Sequence, residues 1–236
     1  GMIRKNSTLG VIEGYSGGDY INLEAGRLIA RTRYTSNGTH TTNSKTKQII
    51  VELISGGGGS GGVVATGAGQ IAISSPGDTG WYVKAHLPRG TTIAGSYTVN
   101  VGVGGSAGAA GNNSGGHGGI SSVTDGTNSV SVSGGVGGSG GTAVSSFPVV
   151  KTSMLGYSAP STVGAFEIWE RVYPASTTIV VYDSVNKVFS FSPGSPYSTT
   201  GDRGVGGWPT INWASAGAAA SGSVGTAGEV IIYEYS

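Results

Sequence analysis

Pairs of glycines that recur every third residue constrain this chain more than any other feature of its sequence. Residues 58–62, 115–119 and 134–141 each repeat two glycines followed by one other residue. A polyproline-II helix has three residues per turn and no internal hydrogen bonds. Two glycine edges let neighbouring helices approach backbone to backbone, while the third edge carries a side chain outward. Because buried N–H and C=O groups need partners, these segments are expected to hydrogen-bond to one another.

A flexible linker is the alternative interpretation of these glycine runs. We favour the packed arrangement, because linkers seldom alternate with strands rich in aromatic residues. A collagen helix is excluded, since collagen has glycine at every third position with proline between the glycines. The 46 glycines among 236 residues also exclude a helical protein, because each glycine inside an α-helix costs about 1 kcal/mol relative to alanine.

Runs of β-branched and aromatic residues predict β-strands. They cover residues 27–34, 47–54, 80–86, 96–103, 130–133, 166–172, 178–183, 188–191 and 230–235. The second run is apolar on both faces, which is typical of a central strand, and the turn at residues 36–38 before it indicates a hairpin or a wide loop. The predicted fold class is all-β: a β-strand sandwich combined with polyglycine, polyproline-II-like segments.

Charge and composition exclude several classes of partner. A net charge of +1 gives no electrostatic basis for binding nucleic acid or an anionic membrane. No apolar run approaches the roughly 20 residues of a membrane span, so no membrane insertion is predicted. The chain has no cysteine and therefore no disulfide or thiolate metal site.

Short motifs of enzyme chemistry occur only as products of the composition. Gly-x-Gly-x-x-Gly appears twice without a following helix, and Gly-x-Ser-x-Gly appears three times without the elements of a nucleophile elbow. The three histidines, His40, His86 and His117, have no second ligand nearby in the sequence, so no metal and no cofactor are predicted. An ion on the axis of a trimer, held by one histidine from each chain, is the open alternative.

Glu167 and Glu170 could suggest a glycosidase pair. Residues three apart on a regular strand face opposite sides of the sheet, which argues against a shared cleft. We therefore interpret them as charges that bracket a buried Trp169, and we predict no catalytic residue and no enzymatic activity.

Three stretches in order resemble one family. They are Tyr-Thr-Ser-Asn-Gly-Thr-His-Thr at 34–41 followed by the strand at 47–55 and the glycines of 56–62, Gly-Ser-Tyr-Thr-Val-Asn-Val-Gly-Val-Gly-Gly at 95–105, and Gly-Thr-Ala-Gly-Glu-Val-Ile-Ile-Tyr-Glu-Tyr at 225–235. Together they are similar to the glycine-rich C-terminal domains of bacteriophage tail fibres. Each piece is weak alone in so glycine-rich a chain, but the ordered set is fairly specific.

The resemblance implies a receptor-binding adhesin at the distal end of the tail fibre of a virion. The implied partner is a bacterial surface receptor: lipopolysaccharide, capsule or an outer-membrane protein. It also implies a homotrimer, with a monomeric tip on a trimeric fibre as the alternative. Residues 1–33 would be an N-terminal strand segment that joins the fibre shaft, and residues 34–236 the tip domain. One departure is residues 142–200, a glycine-poor insertion that predicts a hairpin at 178–191.

Aromatic residues between the insertion and the closing glycine-rich run provide the candidate receptor site. Flat rings and bidentate hydrogen-bonding groups occur together there, and Gly201, Gly204, Gly206 and Gly207 indicate an exposed loop. The candidate residues are Tyr197, Asp202, Arg203, Trp208, Asn212 and Trp213. Burial of Trp208 and Trp213 beneath the insertion is an open alternative, and Trp81 and Trp169 are expected in the core.

A purely structural function is the alternative to receptor binding. A glycine-rich repeat protein could serve as a matrix or as an ice-binding sheet. Ice binding needs a regular outward array of threonines. The outward positions expected in the three runs are Ser60, His117, Val136 and Ser139, which do not form such an array, so ice binding is not favoured.

Overall fold

The computed structural model describes residues 3–7, 11–16, 19–22, 26–146, 148–152, 158–173, 178–181, 203–213 and 217–236. Within these ranges the chain forms β-strands and no helix. The strands are β1 (Ile3–Asn6), β2 (Val11–Ser16), β3 (Asp19–Asn22), β4 (Leu28–Tyr34), β5 (Gly38–Thr41), β6 (Gln48–Ile54), β7 (Ile71–Ile73), β8 (Tyr82–Leu87), β9 (Ser96–Asn100), β10 (Ser121–Thr124), β11 (Ser129–Val132), β12 (Ala143–Val144), β13 (Val149–Thr152), β14 (Ser161–Val163), β15 (Glu167–Val172), β16 (Thr178–Val181), β17 (Ile211–Asn212) and β18 (Glu229–Tyr235). The all-β prediction is confirmed.

Two five-stranded antiparallel sheets enclose the main hydrophobic core. The first has the order β15-β8-β6-β18-β4 and the second has the order β14-β11-β10-β9-β5. Side chains of both sheets form one buried cluster, which includes Val51, Leu53, Val83 and Ile232 from the first sheet and Tyr97, Val99, Val123 and Val130 from the second. Burial of each such side chain contributes about 1.5–3 kcal/mol, so this cluster is the main source of stability for the sandwich.

The strand β6, which is apolar on both faces, lies at the centre of the first sheet, as its sequence predicts. On β6, Ile49, Val51 and Leu53 are fully buried against the second sheet, and both edges of the strand are paired, with β8 and with β18. The alternative of a hairpin between β4 and β6 is wrong. The closing strand β18 lies between them, and the turn at residues 36–38 leads instead to β5 in the other sheet.

Three smaller sheets complete the described strands. Their orders are β1-β2-β3, β12-β7-β17 and β13-β16. A second hydrophobic cluster centres on Ile71 and Ile73 of β7. Of the hairpin predicted at 178–191, only β16 is described, and it pairs with β13; the remainder lies outside the described residues. The predicted domain boundary between residues 33 and 34 falls within β4.

The glycine-rich segments form a hydrogen-bonded array around residues 56–64. Successive N–H groups of this central segment donate hydrogen bonds to three different neighbouring segments. Every third N–H group therefore donates to the same neighbour. The acceptor segments are residues 113–119, 220–226 and 75–78. The donor–acceptor pairs, at 2.8 to 3.2 Å, are Gly56–Gly119, Gly59–Gly116 and Gly62–Asn113, then Gly57–Thr226, Ser60–Ser223 and Val63–Ala220, then Gly58–Asp78 and Gly61–Ser75. All three acceptor segments run antiparallel to the central one.

The carbonyl groups of the central segment repeat the pattern with three further segments. Residues 105–111 and 135–141 run parallel to the centre and donate to it at every third residue, and Gly207 donates to Gly58. The donor–acceptor pairs, at 2.7 to 3.0 Å, are Gly105–Gly57, Gly108–Ser60, Gly111–Val63, Gly135–Gly56, Gly138–Gly59, Gly141–Gly62 and Gly207–Gly58. Six outer segments therefore surround the central one: residues 75–78, 105–111, 113–119, 135–141, 204–207 and 220–226.

The six outer segments also bond to each other in a closed ring. Each pair of neighbouring outer segments is joined by at least one backbone hydrogen bond. Examples, one for each of the six pairs and with the donor first, are Gly119–Val103, Gly118–Gly135, Asp78–Val136, Gly77–Gly207, Thr226–Val205 and Gly225–Gly105. The backbone of the central segment is thus enclosed on every side, and each N–H group of residues 56–63 donates to a neighbouring segment, as buried backbone requires.

Close backbone approach explains why the central residues are glycines. A Cβ atom built on Gly58, Gly59 or Gly61 would lie closer than 3.0 Å to the backbone of a neighbouring segment. Ser60 is the exception, but its side chain does not point outward as the sequence predicts. It is fully buried, and its Oγ accepts a hydrogen bond of 2.7 Å from the N–H of Ser223. The outward expectation fails because every edge of this segment is covered.

Candidate functional site

The candidate receptor site is described from Arg203 to Trp213. Tyr197 and Asp202 lie outside the described residues. Residues 204–207 form one outer segment of the glycine array, and β17 follows at the end of the site and pairs with β7. The site is therefore attached at one end to the array and at the other to a small sheet.

Arg203 lies beside a buried carboxylate. Glu229, at the start of β18, is 2% exposed and accepts two hydrogen bonds from Arg33, at 2.6 and 2.7 Å. These bonds raise the pKa of Arg33. The Nε atom of Arg203 lies 3.9 Å from the same carboxylate, and its side chain is 28% exposed. Two guanidinium groups thus compensate one buried charge, and Arg203 is only partly available to a ligand.

Gly204, Gly206 and Gly207 do not form an exposed loop, so the prediction is wrong for these three, while Gly201 lies outside the described residues. Gly204 is buried with a φ of +66°, a backbone conformation that favours glycine. A Cβ atom on Gly206 or Gly207 would overlap the backbone of a neighbouring segment. The glycines are needed for packing within the array, and the exposed part of the site begins after them.

The remaining candidates separate into outward and inward side chains. Trp208 is 58% exposed. Asn212 is buried, and its Nδ2 donates hydrogen bonds to the carbonyl oxygens of Val64, at 3.2 Å, and Ala218, at 2.8 Å. Trp213 is half-buried and packs against the cluster of β7. The open alternative of a buried tryptophan therefore applies to Trp213 and not to Trp208.

The other two tryptophans behave differently from each other. Trp81 is 2% exposed and belongs to the main core, which confirms its prediction. Trp169 is 52% exposed, so the expectation that it lies in the core is wrong. Its neighbour Ile168 packs against the core instead.

A β-bulge explains the position of Trp169. Glu167 and Ile168 pair with His86 and Ala85 of β8, but the next residue of β8, Lys84, pairs with Glu170. Trp169 is therefore an extra residue in β15, and a bulge of this kind alters the alternation of side chains. Glu167 and Glu170 are opposite His86 and Lys84, which share one face of β8, so the two carboxylates lie on the same face. The sequence argument that they face opposite sides is wrong.

A buried polar group connects the two large sheets. His40 of β5 is 2% exposed, and its Nε2 lies 3.1 Å from Oε1 of Glu234 on β18. Its Nδ1 lies 3.0 Å from the hydroxyl of Tyr34. The carboxylate of Glu234 also accepts hydrogen bonds from the N–H of Asn43 and the hydroxyl of Thr46. Burial lowers the pKa of His40, with Glu234 opposing the effect. No sequence pattern indicates this group, because Glu234 is 194 residues from His40 and only the fold brings them together.

The described residues contain no metal-binding group and no membrane-spanning helix. Within the described ranges, no three side chains of His, Asp or Glu come together as a group that could hold a metal ion. His117 instead accepts a hydrogen bond at Nδ1 from the N–H of Gly137, at 3.2 Å. No helix with the length and hydropathy of a membrane span occurs in the part of the chain that the structure describes.

The comparisons with known proteins identify no relative. No family model matches this sequence, and no curated protein is significantly similar to it. The resemblance to phage tail fibres therefore rests on the motifs of the chain alone.

Proposed function

We propose that this chain is the tip of a bacteriophage tail fibre, an adhesin that binds a receptor on the bacterial surface and mediates attachment. One observation carries the proposal: two motifs that resemble the family at opposite ends of the chain meet in space. The strand of the first, β6, pairs along its length with β18 of the last. The glycines beside each strand are also joined, since Gly57 and Ser60 donate hydrogen bonds to Thr226 and Ser223. Motifs that form one structural unit support a common origin better than chance matches in a glycine-rich sequence do.

The same proposal includes polyproline-II-like geometry for the glycine segments. Such a helix has three residues per turn, and partners that recur at every third residue of the central segment are what that geometry requires. The arrangement is suited to a tip, because many short segments with closely packed backbones form a rigid base from which the intervening loops project. Binding residues are commonly carried on loops above a rigid scaffold.

Within the candidate site, Trp208 is the residue best placed to contact a receptor. An exposed indole offers a large apolar face, and such residues often dominate binding energy. Arg203 is partly exposed beside Glu229, while Asn212 and Trp213 make inward contacts that fix the chain after Trp208. Tyr197 and Asp202 remain candidates from the sequence. The receptor is lipopolysaccharide, capsule or an outer-membrane protein.

Competition for attachment tests the function. The isolated protein should reduce adsorption of the phage that carries it to susceptible bacteria, and Trp208→Ala should weaken this competition at an unchanged melting temperature. Ile120→Ala, which truncates an equally exposed residue of the glycine array, serves as the matched control. If the intact protein never blocks adsorption, the structural alternative of a glycine-rich protein without a receptor is favoured.

We further propose that the chain assembles as a homotrimer at the distal end of the fibre. A chain of this length has a limited apolar content, 37% of its residues, and exposed apolar residues such as Val103 and Val224 remain on the array. Exposed apolar surface of this kind often marks an interface. Light scattering should give a mass near three times 23.4 kDa, and a monomer mass at micromolar concentration would reject the trimer.

A further inference from the structure

The outer face of the first sheet carries an exposed aromatic residue at a fixed position. Trp169 lies at the bulge of β15, the last strand of the sheet. Its ring stacks on the imidazole of His86, with 4.0 Å between the ring centroids and 34° between the planes. The imidazole in turn lies 3.6 Å, through Nε2, from the carboxylate of Glu167. One face of the indole is thus held by the protein, while half of the side chain remains open to solvent.

Hydrogen-bonding groups of both kinds surround this indole. Glu167 is 66% exposed, and Glu170 is exposed on the same face of the strand. Lys84 is opposite Glu170, with its ammonium group 3.3 Å from the carboxylate of Glu52 and its side chain one-third exposed. An apolar ring face is therefore flanked by two planar acceptors and one donor.

The residue beneath the indole is buried. The side chain of His86 is more than nine-tenths buried, its ring stacks on Trp169, and its Nε2 lies close to the carboxylate of Glu167. The indole therefore rests on a buried side chain of the sheet and not on another exposed one.

We propose that Trp169, Glu167, Glu170 and Lys84 form a saccharide-binding site, with His86 as the residue that positions the indole. The ligand is the pyranose ring of a neutral sugar. Its apolar C–H face lies on the open face of Trp169, its hydroxyl groups donate hydrogen bonds to the two carboxylates, and one hydroxyl oxygen accepts a hydrogen bond from Lys84.

The mixture of acceptors and a donor around the ring favours a sugar over a cationic peptide. A cation over the indole would gain from the carboxylates, but it would also meet the ammonium group of Lys84, which lies opposite Glu170. A pyranose has one apolar face and hydroxyls that both donate and accept, which matches a ring flanked by acceptors and a donor. A cationic peptide is one of the outcomes tested below.

This site is separate from the candidate attachment site at Trp208 and does not depend on it. Saccharide binding would hold for a fibre adhesin and equally for a protein of another function. Failure of the adsorption experiment would therefore leave this inference standing, and failure of sugar binding would leave attachment through Trp208 standing.

Binding is tested with the intact chain and a panel of methyl pyranosides of hexoses, deoxyhexoses and N-acetylhexosamines. Saturation-transfer difference NMR at millimolar sugar identifies binders, and titration gives their dissociation constants. We expect saturable binding of at least one sugar, weakened about tenfold or more by Trp169→Ala and less strongly by Glu170→Gln. Ile120 has a similar exposure and lies next to the glycine array, so the control variant Ile120→Ala should bind the sugar as tightly as the parent chain does.

Several results would overturn the inference. They are no binding by any sugar of the panel, equal binding by the parent and Trp169→Ala, loss of binding in Trp208→Ala but not in Trp169→Ala, and binding of an arginine-rich peptide without any sugar. If circular dichroism shows that Trp169→Ala does not fold, the sugar affinities of Trp169→Phe and Glu170→Gln are measured instead. Unchanged affinity in both of these folded variants also overturns it.

Discussion

At the scale of single residues, the identity of a glycine is determined by the space around its Cα atom. Gly61 belongs to the central segment of the array, where a Cβ atom would lie closer than 3.0 Å to the backbone of Ser139 and Gly140. Gly95 has no atom within 4 Å of the same position and an ordinary φ. Two chemically identical residues therefore differ in what they tolerate.

The substitution Gly61→Ala should lower the free energy of unfolding by about 3 kcal/mol or more, because backbone has to move to admit the methyl group. Gly95→Ala is the matched control and should change it by less than about 0.5 kcal/mol. Urea denaturation followed by tryptophan fluorescence measures both. Equal midpoints for the two variants would mean that the array is looser than its hydrogen bonds indicate.

The buried His40 should make stability depend on pH. Its pKa is lowered from 6.5 by burial between the sheets, beside Tyr34 and Glu234. The unfolded chain therefore binds a proton at higher pH than the folded chain does. The stabilising effect of the neutral imidazole is complete above pH 6.5 and is lost as the pH falls below that value toward the lower pKa of the folded state.

The measurement is the free energy of unfolding between pH 8 and pH 5 for the parent chain and for His40→Gln. We expect stability to fall on acidification and the fall to be smaller in the variant, which has no titrating group at this position. Carboxylates elsewhere contribute equally to both proteins and cancel in the difference. Parallel curves would show that His40 is protonated equally in the folded and unfolded states.

At the scale of elements, the sequence predicted where the strands lie in the chain better than it predicted which strands pair in the sheets. The runs of β-branched and aromatic residues in β6 and β18 were sufficient to identify both strands. They could not show that β18 separates β4 from β6, because that pairing joins residues nearly 200 positions apart, as Arg33 and Glu229 illustrate. The site was predicted less well for the same kind of reason. Trp169 was placed in the core by assuming a regular strand, and one bulge moves it to the surface.

At the scale of the whole molecule, the array and the sandwich depend on each other. Ordering glycine is costly, because glycine loses more backbone freedom than any other residue. The central segment follows directly from β6, and residues 220–228 lead directly into β18, so the core strands hold the ends of the glycine segments in register. The side chains supply the hydrophobic stabilisation, and the backbone of the array supplies paired polar groups with few side chains.

This dependence predicts the pattern of hydrogen exchange. Amides 56–62 donate to other segments and are enclosed by them, so they should exchange only when the whole sandwich unfolds, as slowly as the amides of β6. Mass spectrometry of peptides that cover these residues measures the rates, with the exposed turn at residues 89–92 as the fast reference. Addition of mild denaturant should accelerate β6 and the central segment together, because each orders the other. Fast exchange at 56–62 beside a protected β6 would separate the two units and identify the glycine run as a linker.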